Sequence, residues 1–267
     1  MNHKYVIVLI LSVLLTGTFF SCQQYETDAS GKVKDFSYNG TLYAYLSDKT
    51  AHPEATYDSL LYLVNKLPGL KDSLENTKHE FTLFAVSDKS FGNALNALNR
   101  LRQTNGKGRN LSLKDFLIEP FTVTDTVITQ ISSSGLMDTT IVTRRYDYRS
   151  QMDSLVCRYI YDKPYTTSSI MEIGNAIEAA DVKYNENLRI EVGRYAASGV
   201  VSSGMRYMSL VETGGSKLTA SWVKAGVLQY DVKAVNGWIH ILLPNHEFGF
   251  NEMETLFQNY GNENKKK

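Results

Sequence analysis

The sequence has 267 residues, of which 43% are hydrophobic and 21% are charged, enough to build one large domain or two small ones. Lys plus Arg equal Asp plus Glu at 28 each, which excludes the basic excess typical of nucleic-acid-binding proteins and the acidic run of a disordered tail. The 17 tyrosines suit protein or glycan contact, although tyrosine is also an ordinary packing residue of β-sheets.

The N-terminal residues form a targeting segment. Lys4 supplies a short positive region, Tyr5 to Leu15 is an apolar run too short for a membrane span, and Phe19-Phe20-Ser21-Cys22 places a small residue before Cys. This arrangement resembles a bacterial lipoprotein signal of the looser, Bacteroidetes type. The resemblance implies removal of residues 1–21, lipid such as palmitate on Cys22, and anchoring to the outer membrane, on the cell surface or on the periplasmic face. The alternative is a plain secretory signal with an incidental cysteine.

The segment after the signal is polar and short of apolar residues. Residues 22–35 therefore predict a flexible tether, and Glu26 and Asp28 within it resemble the acidic surface-export signals of such lipoproteins. If Cys22 is lipidated, Cys157 has no partner, so we expect no internal disulfide, no cysteine-based zinc site and a buried, inert thiol.

Helical periodicity predicts short helices over 41–47 and 57–67, the second capped by Thr56. An apolar strand follows over 81–86. Ser87 is placed to cap a helix over 88–102, where Asp88 in the first turn favours the positive end of the helix dipole.

A long hairpin is predicted next, because residues 121–131 and 136–148 alternate apolar and polar side chains around a Ser-rich turn. Its second strand combines Arg and Tyr, two residue types that are enriched in binding hot spots. We interpret this stripe as a possible binding surface, with an ordinary solvated face as the alternative. The stripe consists of Arg144, Arg145, Tyr146, Tyr148 and Arg149.

Later apolar runs predict strands over 188–192, 206–211, 217–223 and 227–233, separated by glycines. The last of them leads into a tight hairpin with Asn236-Gly237 as a type I′ turn.

Alternation along the final strand places Trp238 and His240 on one face and Ile239 on the other. Trp238 is either a surface stacking residue for sugar or protein, or a residue packed under helices; Trp222 is equally ambiguous. His240, inside a strand, is interpreted as a hydrogen-bonded structural histidine.

Two segments resemble the signatures of fasciclin domains. Phe81 to Phe91 matches the strand-to-helix signature, with Val86 where the family usually has Pro, and Asn236-Gly237-Trp238-Ile239-His240 near Pro244 matches the C-terminal one. The matched positions with implied structural roles are Thr82, Phe84, Ala85, Asp88, Phe91, Asn236, Gly237, Ile239 and His240.

The resemblance implies an α+β fold, a single fasciclin-like domain built as a twisted β-wedge or sandwich packed with several short helices. The domain is expected over 36–250, with 119–149 as an inserted hairpin and 251–267 as a C-terminal tail. It also implies that the Ile239 face of the last strand is the core. Arg158-Tyr159 stands where the family has Tyr-His, so no role of that histidine is carried over.

No motif indicates catalysis. Histidines at 3, 52, 79, 240 and 246 lack metal-ligand spacing, and neither a Gly-x-Ser-x-Gly elbow nor a dinucleotide fingerprint occurs. We therefore expect no enzymatic activity, no cofactor and no metal, and keep a hydrolase only as a minority hypothesis.

The resemblance implies adhesion or protein binding at the cell surface, with a cell-surface protein or glycan as the partner and no nucleic acid. The alternative is a glycan-binding accessory lipoprotein of a starch-utilisation-type outer-membrane uptake system. In that case outer-membrane transporter components would be further partners.

Overall fold

The computed structural model describes residues 36–131, 137–196 and 199–261, and the described residues form one compact unit. The α-helices are α1 (Leu42–Ser47), α2 (Asp58–Lys66), α3 (Leu70–Glu75), α4 (Asp88–Thr104), α5 (Tyr148–Cys157), α6 (Thr167–Glu172) and α7 (Glu252–Phe257). The strands are β1 (Phe36–Ser37), β2 (Phe81–Ala85), β3 (Phe121–Ile131), β4 (Met137–Tyr146), β5 (Ile160–Tyr161), β6 (Ala176–Ala180), β7 (Asn187–Arg194), β8 (Arg206–Glu212), β9 (Val223–Ala234) and β10 (Gly237–Leu242).

Within the described residues, eight strands form the main sheet in the order β5-β2-β10-β9-β8-β7-β6, and β1 pairs with β9 beside this path. Strands β6 to β10 are joined antiparallel, whereas β10 runs parallel to β2. Strands β3 and β4 form a separate two-stranded sheet. The predicted α+β fold, with short helices and an additional hairpin, is confirmed.

The β2–β10 pair is the buried centre of the sheet. All five residues of β2 are buried, and β10 exposes Trp238 only in part. Ile239 is fully buried, as expected for the core face of β10, and His240 on the other face also has no exposed surface. The chain around Tyr165 covers that second face, and its carbonyl contacts the histidine ring.

The β9–β10 turn falls one residue earlier than predicted. Ala234 pairs with Gly237, so Val235 and Asn236 are the two turn residues. A type I′ turn requires positive φ at both turn residues, and neither of these adopts it, so that prediction is wrong. Gly237 instead begins β10 with φ 150°, and a Cβ at this position would lie 2.0 Å from the carbonyl oxygen of Phe81. Glycine is required here by the close approach of the parallel strand.

The hairpin has the predicted antiparallel pairing, from Phe121 with Tyr146 outward. Its second strand ends earlier than predicted, because Tyr148 and Arg149 belong to the first turn of α5. The Asp147 carboxylate caps that helix by accepting from the Ser150 backbone N–H at 3.0 Å. The predicted strand over 217–223 is also wrong, since a 3-10 helix at Thr219–Ser221 precedes β9.

The C-terminal segment belongs to the core. The prediction that 251–267 is a tail is wrong for its described part, because Met253 and Phe257 of α7 are fully buried. The ring of Phe257 lies 4.2 Å from that of Phe116, centroid to centroid. Arg102 of α4 donates hydrogen bonds of 2.8 to 3.4 Å to three backbone carbonyls at the end of α7. Residues 262–267 lie outside the described residues.

A buried ion cluster also fastens α7. Arg158, at the end of α5, is 8% exposed and forms a bidentate pair with Glu252 at 2.8 and 3.0 Å. Its Nε donates to Glu186 at 2.7 Å, and Glu212 lies 3.5 Å from Nη1. Because these acceptors satisfy the buried guanidinium, α5 and α7 are held to the same end of the sheet.

Candidate binding site

Asp88 caps a helix other than its own. Its carboxylate accepts from the backbone N–H groups of Ser59 at 2.6 Å and Asp58 at 3.2 Å, in the first turn of α2. Thr56 therefore does not have the predicted capping role, and Ser87 makes no side-chain cap for α4. Burial raises the pKa of Asp88, but the hydrogen bonds to Thr56, Ser59 and Asp58 outweigh it and leave the pKa below its ordinary value. The Asp88 carboxylate, at the start of α4, therefore links this helix to the first turn of α2.

Asn236 also joins distant helices. Its Oδ1 accepts from the Leu42 N–H at 2.8 Å, at the start of α1, and the residue is 1% exposed. Its Nδ2 donates to the carbonyls of Leu74 at 2.9 Å and Asn76 at 3.1 Å, at the end of α3. Every polar atom of this amide is thus engaged within the fold.

Thr82 and His240 hold the segment that follows β5. Thr82 Oγ1 donates to the Lys163 carbonyl at 2.6 Å and accepts from the Tyr165 N–H at 2.8 Å. His240 Nε2 donates to the Tyr165 carbonyl at 2.8 Å, and Nδ1 accepts from the Asp231 N–H at 3.1 Å. Burial lowers the pKa of His240, with Asp231 opposing it, so the ring is neutral and its nitrogens are occupied.

The remaining signature positions are apolar core. Phe84, Ala85 and Ile239 have no exposed surface, and the Phe91 ring stacks on Phe248 at 4.2 Å. The signature positions therefore surround the β2–β10 pair and leave no accessible reactive group there.

Tyr159 and His246 form a second buried polar pair. The Tyr159 hydroxyl accepts from the Gly249 N–H at 2.8 Å and donates to His246 Nε2 at 2.7 Å. Burial lowers the pKa of His246 to about 4. Tyr159 occupies the position where the family resemblance leads one to expect a histidine, and its partner comes from beyond β10.

The predicted basic-aromatic stripe is not one surface. Arg144 pairs with Val123 and Arg145 with Thr122, and neighbouring residues of a strand point to opposite faces, so the two guanidinium groups lie on opposite sides of the hairpin. Arg145 approaches Asp147 at 3.7 Å.

The other stripe residues lie at the root of the hairpin. Tyr146 stacks on Phe121 at 5.5 Å, and Tyr148 is buried against Tyr260 at 4.9 Å. Arg149 Nη1 bonds to Glu119 at 2.7 Å, and its Nη2 donates to the Lys66 carbonyl at 2.9 Å. Tyr148 is therefore excluded as a surface contact, because it anchors the hairpin to the core.

Both tryptophans are half-buried beneath cations. Lys233 Nζ lies 4.6 Å from the centroid of the Trp238 ring and also bonds to Glu80 at 2.5 Å. Trp222 donates from Nε1 to the Ser216 carbonyl at 2.7 Å, with Lys224 over its ring. Each indole ring already has at least one cation of the same chain over it, which argues against an open stacking platform.

A polar groove that the sequence reasoning missed runs along the outer face of α4. Its volume is about 490 Å³, and its far wall is the segment after β10. Its lining includes Asn93, Asn96, Arg100, Gln103, Asn245 and Glu247. The signal was present in the sequence, because four of these residues recur at helical spacing from 93 to 103 opposite the apolar face of the same helix.

Metal and thiol chemistry find no support in the described part of the chain. His, Cys, Asp and Glu side chains there form no group of three that could hold a metal ion. Cys157 is buried, and burial together with Asp153 and Asp181 raises the pKa of its thiol.

In the described residues, no helix is both long and apolar enough to cross a membrane. The predicted signal over 1–21, the lipid site at Cys22 and the tether over 22–35 lie outside the described residues.

Comparison with known proteins finds similarity at the level of structure. No protein-family model matches the chain. No curated protein matches it either. Over 72% of its length the chain is similar in structure to a FAS1 domain pair from the insect cell adhesion molecule fasciclin I, with 18% sequence identity and a TM-score of 0.40. The match spans 44% of that chain, so less than half of its length is represented here. Fasciclin is also the family that the two sequence segments resemble.

Proposed function

We propose that this chain is a non-catalytic binding protein, held at the outer membrane by lipid on Cys22, whose β3–β4 hairpin contacts a protein partner at the cell surface. The observation that carries the proposal is the separation of the hairpin from the main sheet, to which neither of its strands is paired. Binding elements are commonly loops and insertions supported by a rigid scaffold.

The root of the hairpin is firmly attached. Phe121 and Tyr146 stack across the two strands, and Tyr148 links this pair to Tyr260 beyond α7. An aromatic cluster of this kind fixes the direction in which the strands leave the domain. The hairpin is therefore a positioned element with a defined orientation.

Beyond the root, the hairpin presents exposed side chains and open backbone edges. Ile141 is 72% exposed, and Thr143, Arg144 and Arg145 are exposed beside it. A two-stranded hairpin alone in water is only marginally stable, and its unpaired edges are templates for strand addition. A partner that adds a strand or covers Ile141 would stabilise the hairpin as it binds.

The decisive variant replaces residues 122–145 with a short Gly-Ser link and keeps the Phe121–Tyr146 pair. We expect a folded domain with a nearly unchanged melting temperature that no longer captures its partner. A photo-crosslinking residue at position 141 on intact cells identifies that partner, and binding is then measured with the two purified proteins. If the variant that lacks residues 122–145 still captures the partner, the proposal is contradicted.

The matched control is Lys217→Ala, at an exposed position between β8 and β9 and outside the hairpin, which should leave capture unchanged. If the variant that lacks residues 122–145 aggregates but still captures the partner, the hairpin only covers a surface of the domain that would otherwise self-associate.

The anchor is tested separately by Cys22→Ala. The variant should stay unprocessed or become soluble, and should lose labelling by a fatty-acid analogue. Labelled variant protein in the membrane fraction would rule out lipidation at this residue.

A second candidate function is glycan binding, as an accessory lipoprotein of an outer-membrane uptake system. The observation that favours it is the amide-rich groove along α4, which lies outside the hairpin.

A further inference from the structure

Hydrogen bonds within the domain hold the residues on both sides of the α4 groove in place. Asn93 Nδ2 donates to the carbonyls of Pro244 at 3.2 Å and His246 at 3.5 Å, fixing the segment after β10 against the helix. At the other end Gln103 Nε2 donates to Asn110 Oδ1 at 2.8 Å. These bonds hold the two sides of the groove apart at a defined distance, so a ligand meets a formed site.

Several other polar groups that line the groove take no part in these hydrogen bonds. Glu247 Oε1 is buried and has no hydrogen-bond partner. In the described part of the chain, the side-chain amides of Asn96 and Asn245 also form no hydrogen bond, and Arg100 engages only its Nε, with the Asn96 carbonyl at 3.3 Å. Because an unpaired buried carboxylate oxygen is costly, a rotation of the half-buried Glu247 side chain that lets a ligand donate to this oxygen would be favourable.

The unengaged groups select the chemistry of the ligand. Amides both donate and accept, the guanidinium only donates, and the carboxylate only accepts. Arg100 and Glu247 carry opposite charges, so a net charge on the ligand would be attracted by one and repelled by the other and would gain little. An apolar ligand would leave the polar lining unsatisfied. Hydroxyl groups both donate and accept, so adjacent hydroxyls match a carboxylate beside an amide or a guanidinium.

We propose that the groove formed by Asn96, Arg100, Asn245 and Glu247 binds a neutral saccharide through its hydroxyl groups. The volume of about 490 Å³ falls in the range of small-molecule sites, about 300–1,000 Å³. The inference deepens the second candidate function above and rests on it, but it is independent of the hairpin. Without an aromatic residue in this lining, hydrogen bonds carry the recognition, and we expect the affinity for a short oligosaccharide to be weak.

The electrostatics of Glu247 are consistent with this assignment. Burial raises the pKa of its carboxyl, Glu254 raises it further, and the positive charge of Arg100 opposes them. A sugar hydroxyl that donates to Oε1 replaces the water lost on burial.

The test uses the full-length protein in detergent on a glycan array of neutral and acidic oligosaccharides, followed by calorimetry with the best neutral trisaccharide. Saturable binding is expected, and Glu247→Gln and Asn96→Ala should each weaken it about tenfold, as loss of a charged or well-placed hydrogen bond does. Asn65→Ala, an exposed amide on α2, is the matched control and should bind as the unaltered chain does. All three variants should melt at the unaltered temperature.

The outcomes are distinct. Saturable binding that responds to both groove variants and survives replacement of residues 122–145 supports the proposal. Absence of saturable binding, binding to acidic glycans alone, or binding by Glu247→Gln and Asn96→Ala that is as tight as that of the unaltered chain overturns it. Sugar binding that is lost with the hairpin and unaffected by Glu247→Gln would overturn the groove assignment while leaving glycan binding itself in place.

Discussion

The β2–β10 pair and the β3–β4 hairpin are both built from apolar, β-prone strands, yet they have opposite fates. Strand β2 is buried along its whole length and joined to a strand from far along the chain, whereas the hairpin pairs neighbouring segments and exposes Ile141. The difference lies in what covers the strands. Buried side-chain hydrogen bonds from Thr82, His240 and Asn236 hold other segments around β2 and β10, while the hairpin contacts that the structure describes are those of the aromatic root at one end. Stability is therefore concentrated in the first region, and the second is available for contact with a partner.

The largest expected effect comes from placing a side chain between β2 and β10. Gly237→Ala should destabilise the domain by at least about 3 kcal/mol, because its Cβ would meet the Phe81 carbonyl at 2.0 Å. Urea denaturation measures the change in the free energy of unfolding. Gly214→Ala is the control, since that glycine also has positive φ but has no atom within 4 Å, and it should cost about 1–2 kcal/mol. Equal losses in both variants would show that strand approach is not the constraint.

Next are truncations of core side chains in the same pair. Phe84→Ala and Ile239→Ala, both fully buried, should each lower the free energy of unfolding by about 2–5 kcal/mol. Ile141→Ala in the hairpin should change it by less than about 0.5 kcal/mol, because that side chain is 72% exposed. A comparable loss from Ile141→Ala would contradict the proposed division between the two regions.

Acid should weaken the buried region through His246. Its pKa in the folded state, about 4, lies below the value of roughly 6.5 expected in the unfolded chain, so the unfolded state binds more protons between these values. The stabilisation is complete above pH 6.5 and declines as the pH falls to about 4, by about 3 kcal/mol at most.

Denaturation curves across this range should show a shallower dependence on pH for His246→Gln, which keeps an acceptor for the Tyr159 hydroxyl but does not titrate. His79→Gln, at an exposed site, is the control. An unchanged slope in His246→Gln would assign the acid sensitivity to other groups, of which buried His240 is the first to test.

The smallest effect distinguishes two adjacent residues. Asp88→Ala should cost about 0.5–2 kcal/mol, because it removes the acceptor at the start of α2. Ser87→Ala should cost little, since Ser87 makes no cap bond and only a 3.4 Å contact with Ser90. Thermal melting measures both losses. A larger loss in Ser87→Ala than in Asp88→Ala would support the predicted role of Ser87 as the cap of α4.

Local patterns in the sequence were sufficient where the partners of a residue lie nearby. The helical periodicity over 57–67 predicted α2, and the alternation over 121–131 predicted β3. The α+β fold class followed from such patterns together with the fasciclin resemblance. The same patterns failed where the structural role of a residue depends on a partner that is distant in the sequence.

Asp88 illustrates the failure, because its place in the first turn of α4 suggested a role in that helix, while its acceptor atoms serve α2. Asn236 was predicted as a turn residue and is one, but no pattern in the sequence indicated that its side chain also binds α1 and α3. The first turn of α5 was assigned to a strand, since Tyr148 continues the alternation of β4 and only its burial against Tyr260 shows otherwise. The groove was missed because its two walls come from α4 and from the segment after β10, and nothing local joins them.

The parallel pairing of β2 with β10 also has a consequence for synthesis of the chain. Strand β2 emerges from the ribosome long before its partner, so its apolar Phe81–Ala85 segment has an open edge until Gly237–Leu242 has been made. Pairings of such large sequence separation form slowly, and exposed strand edges recruit other chains. A nascent chain that stops before β10 is therefore expected to aggregate rather than to accumulate as a folded fragment.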